Sequence, residues 1–192
     1  MARTAVFGGT FDPIHNAHLE IARAAADRFQ LNKVLFVPAA NPPHKPAGPH
    51  ASYEDRVRMA ELACEGEPRF EVSRIEQGPR RNYSIVTVEK LLAAGLGPLA
   101  FLIGADAFAE IQTWHRWRDL VRAVEFIVVT RPGAAYAVPP GAAVRELAGI
   151  ERSEASSEIR LKLASGDPGV PVPPPVLRYI RERRLYRSQT AQ

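Results

Sequence analysis

Residues 4–18 read TAVFGGTFDPIHNAH, a short apolar run that leads into a glycine pair and then into two histidines. The run TAVFG at 4–8 predicts a buried strand, and the spacing of apolar residues in Ala17–Phe29 predicts a helix. A strand followed by a short loop and a helix opens a βαβ unit. The stretch therefore favours an α/β fold, with the loop at the carboxyl end of the first strand.

Similar apolar runs recur along the chain and alternate with helical spacing. Further strands are predicted at 33–39 (KVLFVPA), 69–75 (RFEVSRI), 99–105 (LAFLIGA) and 125–130 (EFIVVT). Further helices are predicted at Tyr53–Cys64, Ile85–Ala94 and Trp117–Ala123. Alternating strands and helices predict a Rossmann-like, doubly wound parallel sheet of five or six strands. The sixth candidate is VRELAGI at 144–150, where a helix is equally compatible with the residues.

The region after Arg131 has a different composition. RPGAAYAVPPGAA at 131–143 predicts an irregular connection. Two helices, Ser156–Ala164 and Val176–Arg184, would then form a small C-terminal helical cap, and Pro173–Pro175 would end the first and begin the second. We predict one domain over residues 1–192, with a core at about 1–150 and the helical part at about 151–187.

The composition is that of a protein with one sizeable core, since 46% of its 192 residues are hydrophobic. The 25 basic and 21 acidic residues leave a mild positive charge, which suits phosphorylated small molecules as well as nucleic acid. Cys64, the only cysteine, is expected to be buried. The start of the chain does not resemble a signal peptide, and no apolar run approaches about 18 residues. We therefore expect a cytoplasmic protein that does not bind membranes.

The loop at 8–18 has the features of a phosphate site. Gly8 and Gly9 allow a sharp turn and a close backbone approach, and Thr10 can donate hydrogen bonds. The helix after the loop directs the positive end of its dipole at the same place. His15 and His18 can project together, and beside a polyphosphate their protonated forms would be favoured. Taken alone, however, the glycines could form an ordinary turn, and the histidines could be surface or capping residues without function, or zinc ligands.

GGTFDPIHNAH resembles the GGxFxPxHxGH signature of the nucleotidyltransferase superfamily with the (H/T)xGH motif. Five later segments resemble, in the same order, motifs of the bacterial nicotinate-nucleotide adenylyltransferase family. They are NPPHK (41–45), LIGADAF (102–108), TWHRW (113–117), TRPG (130–133) and SSEIR (156–160). The resemblance covers nearly the whole chain and includes no nucleic-acid-binding motif.

This resemblance implies transfer of the adenylyl group from ATP to nicotinate mononucleotide, which gives deamido-NAD and pyrophosphate without a covalent enzyme intermediate. It implies Mg²⁺ held mainly by the ATP phosphates, no metal ligands on the protein, and no nucleic-acid partner; a homo-oligomer is compatible with it. The implied catalytic residues are His15, His18 and Arg160. The implied ATP-binding residues are Gly8, Gly9, Thr10, Phe11, His15, His18, Gly104, Asp106, Ser156, Ser157 and Arg160. The implied mononucleotide-binding residues are Asn41, His44, Lys45, Tyr83, Ser84, Asp106, Trp114 and Arg131.

Local interpretations without function stand beside these roles. Asp106 could be a helix N-cap, and Ser156 could cap the helix that carries a solvated Arg160. Either Trp114 or Trp117 could be a core residue, and we expect this of Trp117. An arginine cluster near the C-terminus is expected to be a solvated helix face rather than a nucleic-acid patch. Its members are Arg178, Arg181, Arg183, Arg184 and Arg187.

Three segments depart from the family pattern. Ala17 replaces the glycine of HxGH, Glu154 and Ala155 replace the first two residues of ISSTxIR, and Val86 replaces an aspartate in NYSIVTV (82–88). These changes leave two alternatives open. One is an adenylyltransferase for nicotinamide mononucleotide or another mononucleotide, and the other is a non-catalytic nucleotide-binding relative.

Overall fold

One all-parallel sheet forms the centre of the computed structural model, which describes residues 3–42, 48–130, 133, 135–150 and 155–187. Its six strands within those ranges are β1 (Thr4–Gly9), β2 (Lys33–Pro38), β3 (Phe70–Val72), β4 (Leu99–Gly104), β5 (Glu125–Val129) and β6 (Ala143–Leu147). Their order is β3-β2-β1-β4-β5-β6. The chain therefore adds β2 and β3 on one side of β1, and it then adds β4, β5 and β6 on the other side. This order confirms the predicted doubly wound sheet.

Helices connect the strands and cover both faces of the sheet. They are α1 (Asn16–Phe29), α2 (Tyr53–Cys64), α3 (Ser84–Ala93), α4 (Ala105–Ala109), α5 (Trp117–Ala123), α6 (Ser156–Ser165) and α7 (Pro174–Glu182), with a 3₁₀ turn at Ile111–Thr113. The predicted helices occur at the expected places, and their ends differ by at most two residues. The short α4 and the 3₁₀ turn were not predicted, because elements of three to five residues are too short to show a helical period. Within the described residues, no helix is long and apolar enough to cross a membrane.

Two hydrophobic layers lie on opposite faces of the sheet because side chains alternate along each strand. On one face, Phe7 and Phe36 belong to a core that includes residues of α1, α2, α6 and α7. On the other, Val6 and Phe101 belong to a core that includes residues of α3, α4 and α5. Burial on both faces explains why the strands are nearly continuous apolar runs. The predicted C-terminal cap is present, but α6 and α7 extend the same core layer as α1 and α2.

The ambiguous segment 144–150 forms the edge strand β6. Residues Ala143–Leu147 pair in parallel with the whole of β5, and Leu147 is buried in the core. The backbone groups along the open edge of β5 determine this outcome, since local propensity alone did not separate strand from helix.

The prediction that Pro173–Pro175 ends the first C-terminal helix was wrong. Helix α6 ends at Ser165, and Gly166 follows in the left-handed conformation with φ 77°. Glycine is well suited to this C-terminal position because it has no side chain to clash there. Pro173 is instead the N-cap residue of α7, and Pro174 and Pro175 begin that helix, where a missing backbone N–H costs little.

The two central strands separate at their carboxyl ends. β1 and β4 pair from Thr4–Leu99 to Val6–Phe101, and both strands continue for three more residues, to Gly9 and Gly104. This is also the point where the strand order reverses. In open α/β sheets the crevice at such a switch point is the usual ligand site.

We expect Leu147→Ala to lower the free energy of unfolding by about 3 kcal/mol, because it leaves a cavity in the core beside β6. The matched control is Leu161→Ala, since the Leu161 side chain on α6 is 73% exposed whereas Leu147 is 5% exposed. The control should change the stability by less than about 0.5 kcal/mol. Urea denaturation of both variants measures the difference, and equal effects would contradict the placement of β6.

Candidate active site

A cavity of about 560 Å³ opens where β1 and β4 separate. Its walls come from the ends of β1, β2 and β4, the start of α3 and the segment around Trp114. Gly8, Gly9 and Thr10 form one wall, and Gly104 forms another. The predicted glycine loop therefore lies at the switch point of the sheet, with polar backbone along the crevice.

The glycine loop is shaped by close packing beneath it. A Cβ atom on Gly9 would lie 3.0 Å from the ring of Phe11, so a side chain there would displace that ring. Phe11 is buried and has a left-handed backbone with φ 49°. Its ring contacts Phe7 and His18 edge-on, with centroid distances of 5.7 and 5.1 Å. The predicted ATP residue Phe11 thus supports the loop from the core.

His15 and His18 stack against each other at the start of α1, with ring centroids 3.7 Å apart. His15 is the N-cap residue, and its backbone N–H donates to Nδ1 of His18 at 3.2 Å. In a neutral imidazole one nitrogen accepts and the other carries the proton. His18 therefore carries its proton on Nε2, where it can donate to an anion. Nδ1 of His15 is buried without a hydrogen-bond partner in the described part of the chain.

Burial keeps both histidines neutral in the free protein. It lowers the pKa of His15 to about 4. The pKa of His18 also lies well below its ordinary value, because of burial and the neighbouring His15. The expectation of protonated histidines therefore applies to a site that holds a polyphosphate, whose charge would oppose these effects.

Helix α6 places Arg160 and Ser156 against the same loop. Nη1 of Arg160 donates to the carbonyl of Asp12 at 2.7 Å, and the Ser156 hydroxyl donates to the carbonyl of Pro13 at 3.1 Å. Ala155 is the N-cap residue, so the interpretation of Ser156 as the cap was wrong. Ser157 is exposed in the first turn of α6. The structure thus brings Arg160 and Ser156 to the loop that carries both histidines.

Two buried charged residues that the sequence did not single out hold this loop. Asp12 is 1% exposed, and its carboxylate accepts the backbone N–H groups of His50 and Ala51 at 2.7 and 3.1 Å. Arg56 on α2 is also 1% exposed, and it donates to the carbonyls of Thr10, Ala39 and Ala51. Burial lowers the pKa of Arg56, whereas the nearby charge of Asp12 raises it. No local pattern in the sequence marks either residue, because their partners are distant along the chain.

The predicted mononucleotide residues divide into three groups. Tyr83, Ser84 and Trp114 line the cavity. Asn41 does not, because its amide nitrogen donates to the carbonyl of Gly78 at 2.8 Å and its backbone N–H to Oδ1 of Asn82. The third group, His44, Lys45 and Arg131, lies outside the described residues.

The loop after β4 contains the remaining predicted ATP residues. Gly104 lines the cavity and is the N-cap residue of α4. Asp106 is exposed in the first turn of that helix. The alternative that Asp106 caps the helix was therefore wrong, and its carboxylate faces solvent near the carboxyl edge of the sheet.

The structure adds further residues to the cavity wall that the sequence analysis did not assign to the site. Glu76 and Asn82 precede α3, and His115 follows Trp114. The ring of His115 lies 4.3 Å from that of Tyr83. Burial raises the pKa of Glu76, while a hydrogen bond of 2.5 Å from the Thr87 hydroxyl opposes the rise.

Trp117, Cys64 and the C-terminal arginines have the burial that the sequence predicts. Trp117 packs against the core beside α3 and α5, as expected. Cys64 is buried, which raises the pKa of its thiol to about 12. Trp114 is half-buried and meets Phe101 edge-on at 6.4 Å. The arginines of the C-terminal cluster are all exposed, as expected of a solvated face: Arg178, Arg181, Arg183, Arg184 and Arg187.

The departures from the family pattern also have defined positions. Ala17 is 3% exposed, so its methyl group lies against protein rather than in open space. Ala155 precedes α6 and is exposed. Val86 is 36% exposed on α3 and does not line the cavity. Glu154 lies outside the described residues.

Sequence comparisons relate this chain to known proteins. It matches the cytidylyltransferase-like family over residues 6–166. It is 57% identical, over 189 residues, to a Solibacter usitatus protein named probable nicotinate-nucleotide adenylyltransferase, with 96% of this chain and 99% of that protein covered. A protein of the same name from Chromobacterium violaceum is 39% identical over 213 residues, with 97% and 99% covered.

The fold is similar to that of solved structures at low sequence identity. The nicotinic acid mononucleotide adenylyltransferase of Plasmodium falciparum, complexed with NaAD, superposes with a TM-score of 0.81 at 16% identity. The comparison covers 97% of this chain and 98% of that one. A complex of the same enzyme with APC gives a TM-score of 0.78. These likenesses confirm the Rossmann-like fold.

We expect Arg56→Met to lower the free energy of unfolding by about 3 kcal/mol, because it leaves buried carbonyl groups and the Asp12 carboxylate without their cation. Arg58→Met on the same helix is the matched control. The Arg58 side chain is about half exposed and forms a salt bridge with Glu61 on the same helix. Its effect should stay below about 0.5 kcal/mol. Urea denaturation measures both variants, and similar losses would show that Arg56 does not hold the loops.

The buried histidines predict that the free protein becomes less stable between pH 7 and pH 5. The unfolded chain binds a proton near pH 6.5, whereas folded His15 does so only near pH 4. Acidification therefore favours the unfolded state, by about 2 kcal/mol at pH 5 from His15 alone. His18 acts in the same direction.

His15→Gln should reduce this pH dependence, and His115→Gln, which removes an exposed histidine, should retain it. Urea denaturation at a series of pH values gives the slope for each variant. An unchanged slope in His15→Gln would contradict a neutral, buried His15.

Proposed function

This chain belongs to the nicotinate-nucleotide adenylyltransferase family within the cytidylyltransferase-like group, and on that premise we propose that it transfers the adenylyl group of ATP to nicotinate mononucleotide. The products are deamido-NAD and pyrophosphate, in a step of NAD biosynthesis. The observation that carries the proposal is one shared loop. Gly8–Thr10 forms a wall of the cavity, and the same loop continues to His15, His18 and the contacts of Arg160.

The reaction needs alignment and charge neutralisation more than it needs a general base. The second pKa of a phosphate monoester is about 6, so the mononucleotide phosphate is largely a dianion near neutral pH. One of its oxygens attacks the α-phosphorus of ATP, and the bond from that phosphorus to the oxygen bridging to the β-phosphate breaks. The electron pair leaves with pyrophosphate. Because both reactants are anions, positioned donors supply the main assistance.

The ATP side of the proposed site consists of the two histidines and Arg160. We assign the Nε2–H of His18 to the α-phosphate oxygens, with His15 beside it. Arg160 suits the β- and γ-phosphates, because a guanidinium group has five N–H donors in a fixed plane. Gly8, Gly9 and the start of α1 add backbone donors and the helix dipole. The negative charge of ATP would then raise the pKa of both histidines and favour their protonated forms.

We propose that the mononucleotide binds in the cavity itself. Trp114 is half-buried in its wall and can stack on a cationic pyridine ring. Tyr83 and Ser84 lie at the start of α3, where backbone N–H groups can meet an anionic group. Gly104 and Asp106 would contact ribose at the end of β4. His44, Lys45 and Arg131 remain proposed contacts on sequence grounds.

A magnesium ion is proposed to arrive with ATP and to neutralise the departing pyrophosphate. Mg²⁺ usually keeps several water ligands and binds substrate phosphates with few protein ligands. In the described part of the chain, no group of three or more His, Cys, Asp or Glu side chains is arranged to hold a metal ion. A cytoplasmic location and a homo-oligomeric state also remain proposals.

The choice between acid and amide substrates is a separate question. The cavity wall contains Glu76, and burial raises the pKa of its carboxyl group. Val86, which replaces the family aspartate, does not line the cavity. Neither observation separates the two substrates, and the 57% identity to a protein named probable nicotinate-nucleotide adenylyltransferase supports the acid, nicotinate mononucleotide. Nicotinamide mononucleotide remains the alternative substrate within the same reaction class.

The direct test incubates the purified chain with Mg²⁺-ATP and each mononucleotide in parallel. We expect dinucleotide and pyrophosphate, with a higher kcat/KM for the acid. A folded sample that binds ATP but forms neither product would support the non-catalytic alternative. A higher kcat/KM for the amide would assign the other substrate.

His18→Ala should lower kcat by at least about 100-fold, as expected when a donor to the transition state is lost. Circular dichroism and thermal melting check that the variant is folded. A folded variant with a kcat close to that of the wild type would exclude the role assigned to His18.

A further inference from the structure

Asp12 joins the active-site loop to three other parts of the chain. Its carboxylate accepts the backbone N–H groups of His50 and Ala51, which precede α2, and the hydroxyl of Tyr186 at 2.7 Å. Its backbone carbonyl accepts Nη1 of Arg160 on α6. Asp12 thus fixes the active-site loop relative to the segment before α2, to α6 and to the C-terminal turn.

Tyr186 reaches Asp12 from a turn just beyond α7. Arg184 and Tyr186 have left-handed backbone conformations, with φ 55° and 58°. The N–H of Leu185 donates to the carbonyl of Ile180, which holds the turn against the end of α7. Leu185 and Tyr186 pack against the core layer of α1 and α2. The turn is therefore an ordered part of the structure, although it lies 174 residues from Asp12 in sequence.

The hydrogen bond from Tyr186 to Asp12 has a defined direction. Burial raises the pKa of Tyr186, and the charge of Asp12 raises it further. Burial would also raise the pKa of Asp12, but the amides and the Tyr186 hydroxyl lower it below its ordinary value. Tyr186 is therefore the donor and Asp12 the charged acceptor near neutral pH. Hydrogen bonds of this charged kind are stronger than neutral ones.

We propose that Tyr186 is a positioning residue for adenylyl transfer, which acts through Asp12 on the loop at 10–15 and on Arg160. The inference rests on the proposed function, since it assigns Arg160 to the ATP phosphates. Removing the hydroxyl leaves one acceptor position of Asp12 unfilled, and the carbonyl that Arg160 contacts belongs to the same residue. The position of the guanidinium group then becomes less defined. The loss falls on the ATP side, because the proposed mononucleotide contacts Tyr83, Ser84 and Trp114 lie on other segments of the cavity wall.

A second tyrosine of the same region provides a matched control. The hydroxyl of Tyr179 on α7 donates to Oδ1 of Asp55 on α2 at 2.9 Å. This is also a tyrosine-to-carboxylate hydrogen bond between the C-terminal part and the rest of the protein. Asp55 has hydrogen bonds with Ser52 and lies beside Arg183, and none of these residues lines the cavity. Tyr179→Phe therefore removes a similar bond without loosening the active-site loop.

The experiment compares Tyr186→Phe and Tyr179→Phe in the full-length chain. Steady-state kinetics gives kcat and the KM for each substrate, and thermal melting gives the stability. We expect Tyr186→Phe to lower kcat/KM for ATP about ten-fold, the factor expected for loss of a hydrogen bond to a charged group. The KM for the mononucleotide should change less than about two-fold. The two variants should lower the melting temperature by similar amounts. Tyr179→Phe should leave all kinetic constants within about two-fold of the wild-type values.

A double-mutant cycle tests whether Tyr186 acts through Arg160. The probe is the non-reactive analogue α,β-methylene-ATP, whose affinity is measured by calorimetry for Tyr186→Phe, Arg160→Lys and the double variant. If both residues act on the same contact, the two losses combine to less than their product. Asp12→Asn is a second variant that keeps the side-chain shape, and it should show the same selective loss for ATP.

Three results would overturn the proposal. They are equal kinetic effects of the two tyrosine variants, unchanged ATP kinetics in Tyr186→Phe, and fully multiplicative losses in the cycle. Absence of turnover in the wild-type chain would instead contradict the proposed function. The analogue affinities would then still decide the positioning role, because they do not require turnover.

Discussion

The buried guanidinium group of Arg56 organises the carboxyl edge of the sheet. It donates to the carbonyls of Thr10, Ala39 and Ala51, which lie after β1, after β2 and before α2. Thr10, Ala39 and Ala51 lie outside the strands and helices, and buried carbonyls without partners are costly. The neighbouring Asp12 carboxylate makes a buried cation tolerable at this point. The positions of the glycine loop and of the wall from β2 therefore depend on one side chain of α2.

The crevice beside this cation arises from the end of pairing between β1 and β4. The two strands part after Val6 and Phe101. Gly8 and Gly9 still pair with β2 and Gly104 with β5, and all three glycines line the cavity between β1 and β4. His15 and His18 follow at the start of α1. Their surroundings keep them neutral, and the hydrogen bond that Nδ1 of His18 accepts leaves the proton of that ring on Nε2. A site preorganised in this way pays less reorganisation when a phosphate binds.

Prediction from sequence succeeded where the signal was local. The apolar runs identified β1 to β5. The loop after β1 carried the glycines that line the cavity at the switch point and the histidines at the start of α1. It was incomplete where position depends on distant partners. Arg56 contacts Thr10 across 46 residues of sequence, and Tyr186 contacts Asp12 across 174. Asn41 was predicted to bind the mononucleotide, whereas its amide donates to the carbonyl of Gly78. Segment 144–150 became a strand because β5 offered a free edge.

By itself, the sequence determined the α/β class, the order of the main elements, and the position of two glycines and two histidines on the loop after β1 and the helix that follows it. These properties follow from periodicity and from residue types that are neighbours in the chain. Only the tertiary structure decided that His15 is buried and His18 half-buried, that both are neutral, and that Arg160 donates to the carbonyl of Asp12. It also decided which polar residues face the cavity. The reason is physical, since burial, desolvation and long-range hydrogen bonds exist only after the segments are packed together.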